Sequence, residues 1–360
     1  MKTFAKTDGA ALGAFDTPRK IYEHLARFVV GQERAKKAVA VAAYGHSKRL
    51  AALASGHSPR LLRKSNVLLV GPTGSGKTHL ARHLAEALGV PFTIVDATEY
   101  TEAGYYGKDV EVMIAELLIK ANHSIEDTQR GIVFIDEIDK VARRSQGART
   151  GAGSRDIGGE GVQQALLKIL EGREIFVPLN VTQHWNKHDF VQVDTSNILF
   201  ICAGTFSDLH DQGERESTRR PLGFGGGTAT SRRPPITQKD LLEYGMIAEF
   251  LGRLPVMVEL EALGREELRR ILTEPPDALV REYRELLALD GVALELTDDA
   301  LDALAEHAIG RGYGARGLRG VLEEVLRDVL FDAPAHRGET VSLGRDAVRE
   351  RLAACDASVP

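Results

Sequence analysis

The chain has 360 residues, of which 43% are hydrophobic and 27% are charged, the composition of an ordinary soluble globular protein. Its formal net charge of −5 provides no overall positive field that would attract nucleic acid or an anionic membrane. No apolar run reaches the roughly 20 residues of a membrane span, and the N-terminus lacks the apolar core of a signal peptide. Cys202 and Cys355 are far apart and lack C-x-x-C partners, so we expect no disulfide framework and no zinc site. A reducing compartment fits this usage, and we expect a cytoplasmic location, with an organelle matrix after processing as the alternative.

The apolar pattern predicts an α/β fold with a parallel sheet, because four buried-type runs alternate with helical periodicity. The predicted strands are residues 67–70, 91–96, 131–137 and 198–202. The predicted helices around them are residues 19–28, 33–53, 80–88, 109–121 and 161–171.

The pattern becomes mostly helical towards the C-terminus. The elements predicted there are helices at 265–273, 277–288, 298–309 and 318–330, with short strands at 292–296 and 339–343. We therefore divide the chain into a mobile tail (1–14), a large α/β domain (15–256) and a smaller, mostly helical domain (257–360).

A glycine-rich loop lies between the first predicted strand and the helix that follows it, which is the context that a P-loop requires. Its residues are Gly71, Pro72, Thr73, Gly74, Ser75, Gly76, Lys77 and Thr78, and we add the adjacent His79 to the predicted nucleotide-binding set. Lys77 is expected to reach the β- and γ-phosphates and the Thr78 hydroxyl to bind Mg²⁺. The alternative, a flexible loop without a ligand, does not account for every fixed position of the motif. The sequence therefore predicts binding of ATP with Mg²⁺.

Asp136 and Glu137 end the third predicted strand. The carboxyl edge of a parallel sheet is where ligands bind, so Asp136 is expected to hold the Mg²⁺ shell and Glu137 to activate the attacking water. Two acids at a strand end are otherwise most often a turn or a helix cap. Phosphoryl transfer also needs a positively charged side chain next to the γ-phosphate. Arg253 and Arg316 are the candidates for this role. The alternative for each is an ordinary solvated arginine.

Taken in order, several motifs of the chain resemble the ClpX family of AAA+ unfoldases. The motifs are Val30-Gly31-Gln32, Gly71–Thr78, Gly104-Tyr105-Tyr106-Gly107, Ile135-Asp136-Glu137-Ile138-Asp139-Lys140, Gly159-Glu160-Gly161-Val162-Gln163-Gln164, Gly252-Arg253-Leu254-Pro255 and Gly314-Ala315-Arg316-Gly317-Leu318-Arg319. The resemblance covers about residues 15–335. It implies an ATPase that is not itself a peptidase and that works as a homo-hexamer with ATP between subunits.

The resemblance also implies roles for single residues. Val29 and Val30 would contact adenine, Arg253 would be the arginine finger, and Arg316 would be the sensor-2 arginine. Tyr105, with Tyr106 beside it, would lie on a pore loop that grips polypeptide substrates, whereas a core tyrosine pair is the alternative. The exposed-type tripeptide Leu222, Gly223 and Phe224 resembles the family's docking motif for the ClpP-type serine peptidase; a buried loop anchor is the alternative.

The sequence departs from the family pattern in three places. No cysteine precedes Cys202, so we expect the N-terminal zinc-binding domain to be missing. The loop at Gln183-His184-Trp185 replaces the family's Arg-Lys-His, which weakens attraction for a substrate's terminal carboxylate. The segment after Phe224 is shorter than usual, and Ala248 replaces a proline. The arginines of residues 143–155 fit either a lower pore loop or a solvated basic loop.

The sequence thus predicts an ATP-dependent unfoldase that threads polypeptides through a hexameric pore and delivers them to a ClpP-type peptidase. A remodeller of protein complexes that works without a peptidase would use the same motor and remains open. A nucleic-acid motor is a further alternative, disfavoured by the net negative charge, and we expect no membrane or direct nucleic-acid partner. An inactive scaffold is improbable because the catalytic positions are intact.

Overall fold

The computed structural model describes residues 16–56, 63–101, 108–143, 159–179, 190–209 and 235–357. The chain divides into two compact units. The first comprises Met1–Tyr22, Arg34–Pro72 and Ala81–Glu259. The second comprises Glu23–Glu33, Thr73–Leu80 and Leu260–Pro360. The domain division after residue 256 stays a prediction.

The first unit is built on a parallel sheet, as the sequence predicts. The strands of the unit are β1 (Val67–Val70), β2 (Phe92–Asp96), β3 (Ile132–Asp136), β4 (Glu174–Pro178), β5 (Phe190–Asp194), β6 (Leu199–Gly204) and β7 (Val256–Glu259). Five of them form one sheet in the order β2-β3-β6-β1-β7, and each neighbouring pair is parallel. β1 and β6 are buried along their whole length, which is typical of a parallel sheet covered on both faces. β4 and β5 pair separately as an antiparallel hairpin.

Helices precede, connect and follow these strands. They are α1 (Pro18–Phe28), α2 (Glu33–Ala54), α3 (Lys77–Leu88), α4 (Val112–Lys120), α5 (Ile125–Thr128), α6 (Glu160–Leu170), α7 (Gln238–Tyr244) and α8 (Ala248–Gly252). The first turn of α7 is fixed by a capping box, in which Thr237 Oγ1 accepts from the Asp240 N–H and the Asp240 carboxylate accepts from the Thr237 N–H. No helix among the described residues is long and apolar enough to cross a bilayer.

The C-terminal part of the second unit is mostly helical and has its own apolar core. Its elements are α9 (Arg265–Thr273), α10 (Leu279–Leu289), β8 (Ala293–Leu296), α11 (Asp298–Gly310), α12 (Leu318–Asp332), β9 (Thr340–Leu343) and α13 (Arg345–Ala357). The apolar stripe of α12 supplies fully buried Leu322 and Leu326, which pack with Leu268 of α9. β8 and β9 form a two-stranded parallel pair.

Several elements are present that the sequence analysis does not predict. They are the edge strand β7, the hairpin β4–β5, and helices α5, α7, α8 and α13. β7 has only four residues and places Met257 in a partly exposed position, so it offers no long apolar run. Among the described strands it pairs with β1 alone, and local periodicity cannot reveal a pairing so remote in sequence.

Candidate active site

The carboxyl ends of the sheet strands bring several predicted residues to one edge of the first unit. Gly71 follows β1, and its N–H donates to the Gly204 carbonyl at the end of β6, at 3.2 Å. Asp136 ends β3 and lies in register with Asp96, which ends β2. The start of the glycine loop and the acidic pair are therefore at the same edge, where ligands bind in open α/β sheets.

Glu137 lies in a constrained and negatively charged position. Its backbone is left-handed, with φ 55°, and its N–H donates to Asp136 Oδ1 at 2.9 Å. Partial burial, followed by the charges of Asp96, Asp136 and Asp139, raises the pKa of the Glu137 carboxyl. A cation would stabilise such a concentration of carboxylates, and carboxylate oxygens are ligands that Mg²⁺ prefers.

Asp139 is a buried acid that the sequence analysis assigns to no role. Its Oδ2 accepts hydrogen bonds from Thr205 Oγ1 at 2.9 Å and from the Phe206 N–H at 3.3 Å. Phe206 is left-handed, with φ 50°, an uncommon conformation for a bulky residue. Asp139 thus fixes the turn that leaves β6 beside the acidic edge. The acid at i+3 from Asp136 was visible in the sequence, but its partners come from a remote strand.

In the second unit, the loop backbone has the conformation that a phosphate cradle requires. Gly74 and Gly76 are left-handed, with φ of 75° and 95°, and Lys77 begins α3 with its side chain buried. Ser75 Oγ is buried, and it has no hydrogen-bond partner in the part of the chain that the structure describes. Within the same part, neither the Ser75 nor the Gly76 N–H donates to another residue. Successive unpartnered N–H groups with an unpartnered hydroxyl are donors suited to phosphate oxygens, so these residues fit a nucleotide.

The loop also makes a close main-chain contact with the turn that carries Arg316. A Cβ on Gly74 would overlap with the Tyr313 carbonyl oxygen and lie 3.0 Å from Gly314 Cα. The Ala315 N–H donates to the Gly74 carbonyl at 3.3 Å. Only glycine at position 74 permits this approach.

Arg316 lies in a 3₁₀ turn at Gly314–Gly317, directly before α12. It is exposed, and it forms no ion pair with any residue that the structure describes. Three residues later, Arg319 is paired through both guanidinium nitrogens with Glu282, at 3.0 and 2.6 Å. Arg316 therefore remains available to an anion, whereas Arg319 has a structural partner.

Val29 and Val30 follow the end of α1 and are largely buried. The Val29 N–H donates to the Leu25 carbonyl at 2.8 Å, which continues the hydrogen-bond pattern of α1 by one residue. His79 Nε2 lies 3.3 Å from the Phe28 carbonyl oxygen, which connects the first turn of α3 to the end of α1.

Arg253 caps the C-terminus of α8 in the first unit. Its Nη2 lies 2.5 Å from Glu171 Oε1, and both side chains are about half exposed. Its carbonyl accepts from Asn66 Nδ2 at 3.0 Å, and Asn66 Oδ1 accepts from the Phe200 N–H at 3.2 Å. Asn66 is almost fully buried, so it fixes the main chain at Arg253 to the sheet while the guanidinium stays at the surface.

Other predicted residues lie outside the described part of the chain. They are the pore-loop residues Tyr105 and Tyr106, the entrance loop Gln183-His184-Trp185, the docking tripeptide Leu222, Gly223 and Phe224, and residues 144–155 of the basic loop. Arg143, which is described, forms an ion pair with Glu160. Cys202 is fully buried in β6, where burial raises the pKa of its thiol, in agreement with a packed and unreactive side chain.

Comparison with protein families agrees with this architecture. Residues 62–257 match the family described as "AAA domain (Cdc48 subfamily)". Residues 263–344 match the "C-terminal, D2-small domain, of ClpB protein". The fold and site therefore define an AAA-domain ATPase with a helical C-terminal domain, and the chain is not a peptidase.

Curated relatives narrow the class. The chain is 47% identical over 319 residues to the "ATP-dependent Clp protease ATP-binding subunit ClpX 2" of Wolinella succinogenes, covering 88% of this chain and 78% of that protein. It is 43% identical over 338 residues to the "ATP-dependent Clp protease ATP-binding subunit ClpX" of Treponema denticola, covering 91% of this chain and 79% of that protein. The chain belongs to the ClpX family, which confirms the resemblance and the prediction of an ATP-binding ATPase.

Replacing Asp139 by alanine is expected to destabilise the protein, because it leaves the Thr205 hydroxyl and the Phe206 N–H unpartnered. The expected loss is about 2 kcal/mol in the free energy of unfolding, measured by urea denaturation. Asp139→Asn is the matched control, since its amide oxygen can accept both bonds, and it should cost much less. Equal stability of the alanine variant and the unmodified protein would contradict the role assigned to Asp139.

Proposed function

We propose that the chain is an ATP-driven protein unfoldase and translocase that works as a homo-hexameric ring and delivers polypeptides to a ClpP-type peptidase. One observation carries the proposal: the acidic pair Asp136–Glu137 lies at the same sheet edge as Gly71, in a chain closely related to named ClpX subunits. Under this proposal ATP hydrolysis is coupled to mechanical work on a polypeptide. We assign the residues to three groups: the motor, which hydrolyses ATP; the grip, which contacts the polypeptide; and the docking group, which binds the peptidase.

In the motor, the loop N–H groups and Lys77 bind the phosphates, while Val29 and Val30 contact adenine. Thr78 and Asp136 hold Mg²⁺, which supplies neutralisation of phosphate charge. Glu137 accepts the proton of the attacking water, and its N–H bond to Asp136 Oδ1 holds it beside the end of β3. Arg316, exposed and without an ion-pair partner among the described residues, adds positive charge near the phosphates.

Arg253 acts on the nucleotide of the neighbouring subunit. Its present partner, Glu171, is about half exposed, and exposed pairs of this kind contribute only about 0–1 kcal/mol. Leaving Glu171 for a phosphate therefore costs little. The Asn66 hydrogen bond keeps the Arg253 main chain in place while the guanidinium changes partner.

Mixing two inactive variants tests whether Arg253 acts in trans. Arg253→Ala keeps its own nucleotide site but should lose about 10³-fold in turnover, and Lys77→Ala keeps Arg253 but cannot bind ATP. In mixed rings, half of the Arg253→Ala subunits have a Lys77→Ala neighbour on the required side. ATP hydrolysis should then return to about a quarter of the unmodified rate in a 1:1 mixture of a closed ring.

The matched control replaces the second partner with the double variant Lys77→Ala, Arg253→Ala, which supplies no arginine and should restore nothing. Restoration by both partners alike, or by neither, would show that Arg253 does not complete a neighbour's site. Sedimentation velocity on each mixture checks that the variants assemble.

The grip is assigned to Tyr105 and Tyr106 from the sequence alone. An aromatic side chain on a glycine-bounded loop can push a polypeptide of any sequence by bulk, without reading its side chains. If Tyr105 has this role, substrate unfolding depends on its aromatic ring and not on its hydroxyl.

Tyr105→Ala should therefore lose ATP-dependent unfolding of a folded fluorescent substrate by at least about tenfold while ATP hydrolysis is retained. Tyr105→Phe is the control and should unfold the substrate normally, because it keeps the aromatic bulk. Normal unfolding by the alanine variant would refute the grip. ATP hydrolysis that depends on DNA would instead favour a nucleic-acid motor.

Docking to the peptidase is assigned to Leu222, Gly223 and Phe224. The relatives are named as subunits of the Clp protease, and the assignment itself comes from the sequence motif alone. A remodeller without a peptidase partner would not need this motif.

Leu222→Ala and Phe224→Ala should each reduce degradation of the fluorescent substrate by a ClpP-type peptidase about tenfold or more, with unfolding unchanged. Leu242→Ala is the matched control, because it removes the same side chain from a partly exposed position on α7, outside the tripeptide. If unfolding proceeds but the unmodified protein gives no degradation with the peptidase, the remodeller is favoured.

A further inference from the structure

Gln32 lies in an unusual backbone conformation directly before α2. Gly31 and Gln32 are both left-handed, with φ of 66° and 56°. Glycine adopts this region freely, but few other residues do, and glutamine is not among those enriched in it. The conformation is therefore maintained by what the side chain contacts.

The Gln32 side chain uses its amide to hold two separate stretches of main chain. Its Oε1 accepts from the Glu261 N–H at 3.0 Å, and its Nε2 donates to the Glu261 carbonyl at 2.8 Å. The Gln32 amide thus pairs with both the N–H and the carbonyl of Glu261, as a residue on a neighbouring antiparallel strand would. The Nε2 also donates to the Ser75 carbonyl of the glycine loop, at 3.3 Å.

The bond to Ser75 determines the direction of a loop N–H. A trans peptide is planar, and its C=O and N–H point in opposite directions. The Ser75 carbonyl and the Gly76 N–H belong to the same peptide. Holding that carbonyl towards Gln32 therefore directs the Gly76 N–H to the other side of the loop.

The adjacent peptide is held in the same way by a different group. The Gly74 carbonyl accepts from the Ala315 N–H at 3.3 Å, which directs the Ser75 N–H away from the Ala315 turn. Both N–H groups are without acceptors in the described residues, beside the buried Ser75 Oγ. Two anchored carbonyls thus leave two oriented donors for an anion.

We propose that Gln32 is a positioning residue of the nucleotide site, which orients the Gly76 N–H towards the β-phosphate and fixes that orientation to the main chain of Glu261. The inference rests on the proposed role of the loop in ATP binding. Gln32 does not touch the nucleotide, so it differs from Val29 and Val30, which are assigned to adenine.

The test is binding of ADP, AMP and adenosine with Mg²⁺, each measured by competition against a fluorescent ADP analogue. Gln32→Glu keeps the size of the side chain and the acceptor for the Glu261 N–H, but it loses both donated bonds and places a carboxylate against two carbonyls. ADP affinity should fall about tenfold, the effect of one misdirected hydrogen bond to a charged group. AMP and adenosine, which lack a β-phosphate, should be affected far less.

Two further variants serve as controls for the effect of Gln32→Glu. Gln32→Gly removes the side chain without straining a backbone at φ 56°, so it should show the same selective loss if Gln32→Glu fails to fold. Glu261→Ala should bind ADP normally, because only the main chain of Glu261 is contacted.

Unchanged ADP affinity in both Gln32 variants would overturn the inference. So would an equal loss for ADP, AMP and adenosine, which would indicate a general loss of fold. If the unmodified protein itself does not bind ADP, the proposed function fails, and the inference fails with it.

Discussion

The parallel pairing of β2, β3, β6, β1 and β7 is the constraint on which the site depends. Parallel strands end at a common edge, so residues that follow different strands meet without any direct attraction between them. Gly71, Asp96 and Asp136 reach that edge from β1, β2 and β3. Their separation along the chain is bridged by the sheet register alone. A shift of one residue in β3 would move Asp136 away from Asp96 and turn its side chain to the opposite face.

The acidic edge of the sheet and the glycine loop present charge of opposite sign. At the edge, partial burial and the charges of Asp96, Asp136 and Asp139 raise the pKa of the Glu137 carboxyl, so negative charge is concentrated there. In the loop, N–H groups without acceptors present positive partial charge. Under the proposed function, phosphate oxygens would accept from the loop N–H groups, and a cation would offset the charge of the carboxylates.

Local patterns were sufficient for much of the fold. The strands at 67–70, 91–96, 131–137 and 198–202 and the long helix from 318 were predictable because each has an uninterrupted apolar run or stripe. β7 and the hairpin β4–β5 were not, since they are short, partly exposed and defined by their pairing.

The same distinction applies to the site. The P-loop and Asp136–Glu137 form local motifs, whereas the contacts of Asp139, Asn66 and Gln32 join segments that are remote in sequence. The identity of a single polar residue does not indicate which carbonyl or hydroxyl, remote in sequence, its side chain will bind. Their roles follow only from the folded arrangement.

The contact between Gly74 and the Tyr313–Ala315 turn involves main chain on both sides. It is therefore indifferent to the chemistry of neighbouring side chains but intolerant of added volume at the glycine itself. The side chains of this turn could therefore vary while its path beside the loop is retained, because the contact is encoded by the backbone and by the absence of a side chain at position 74.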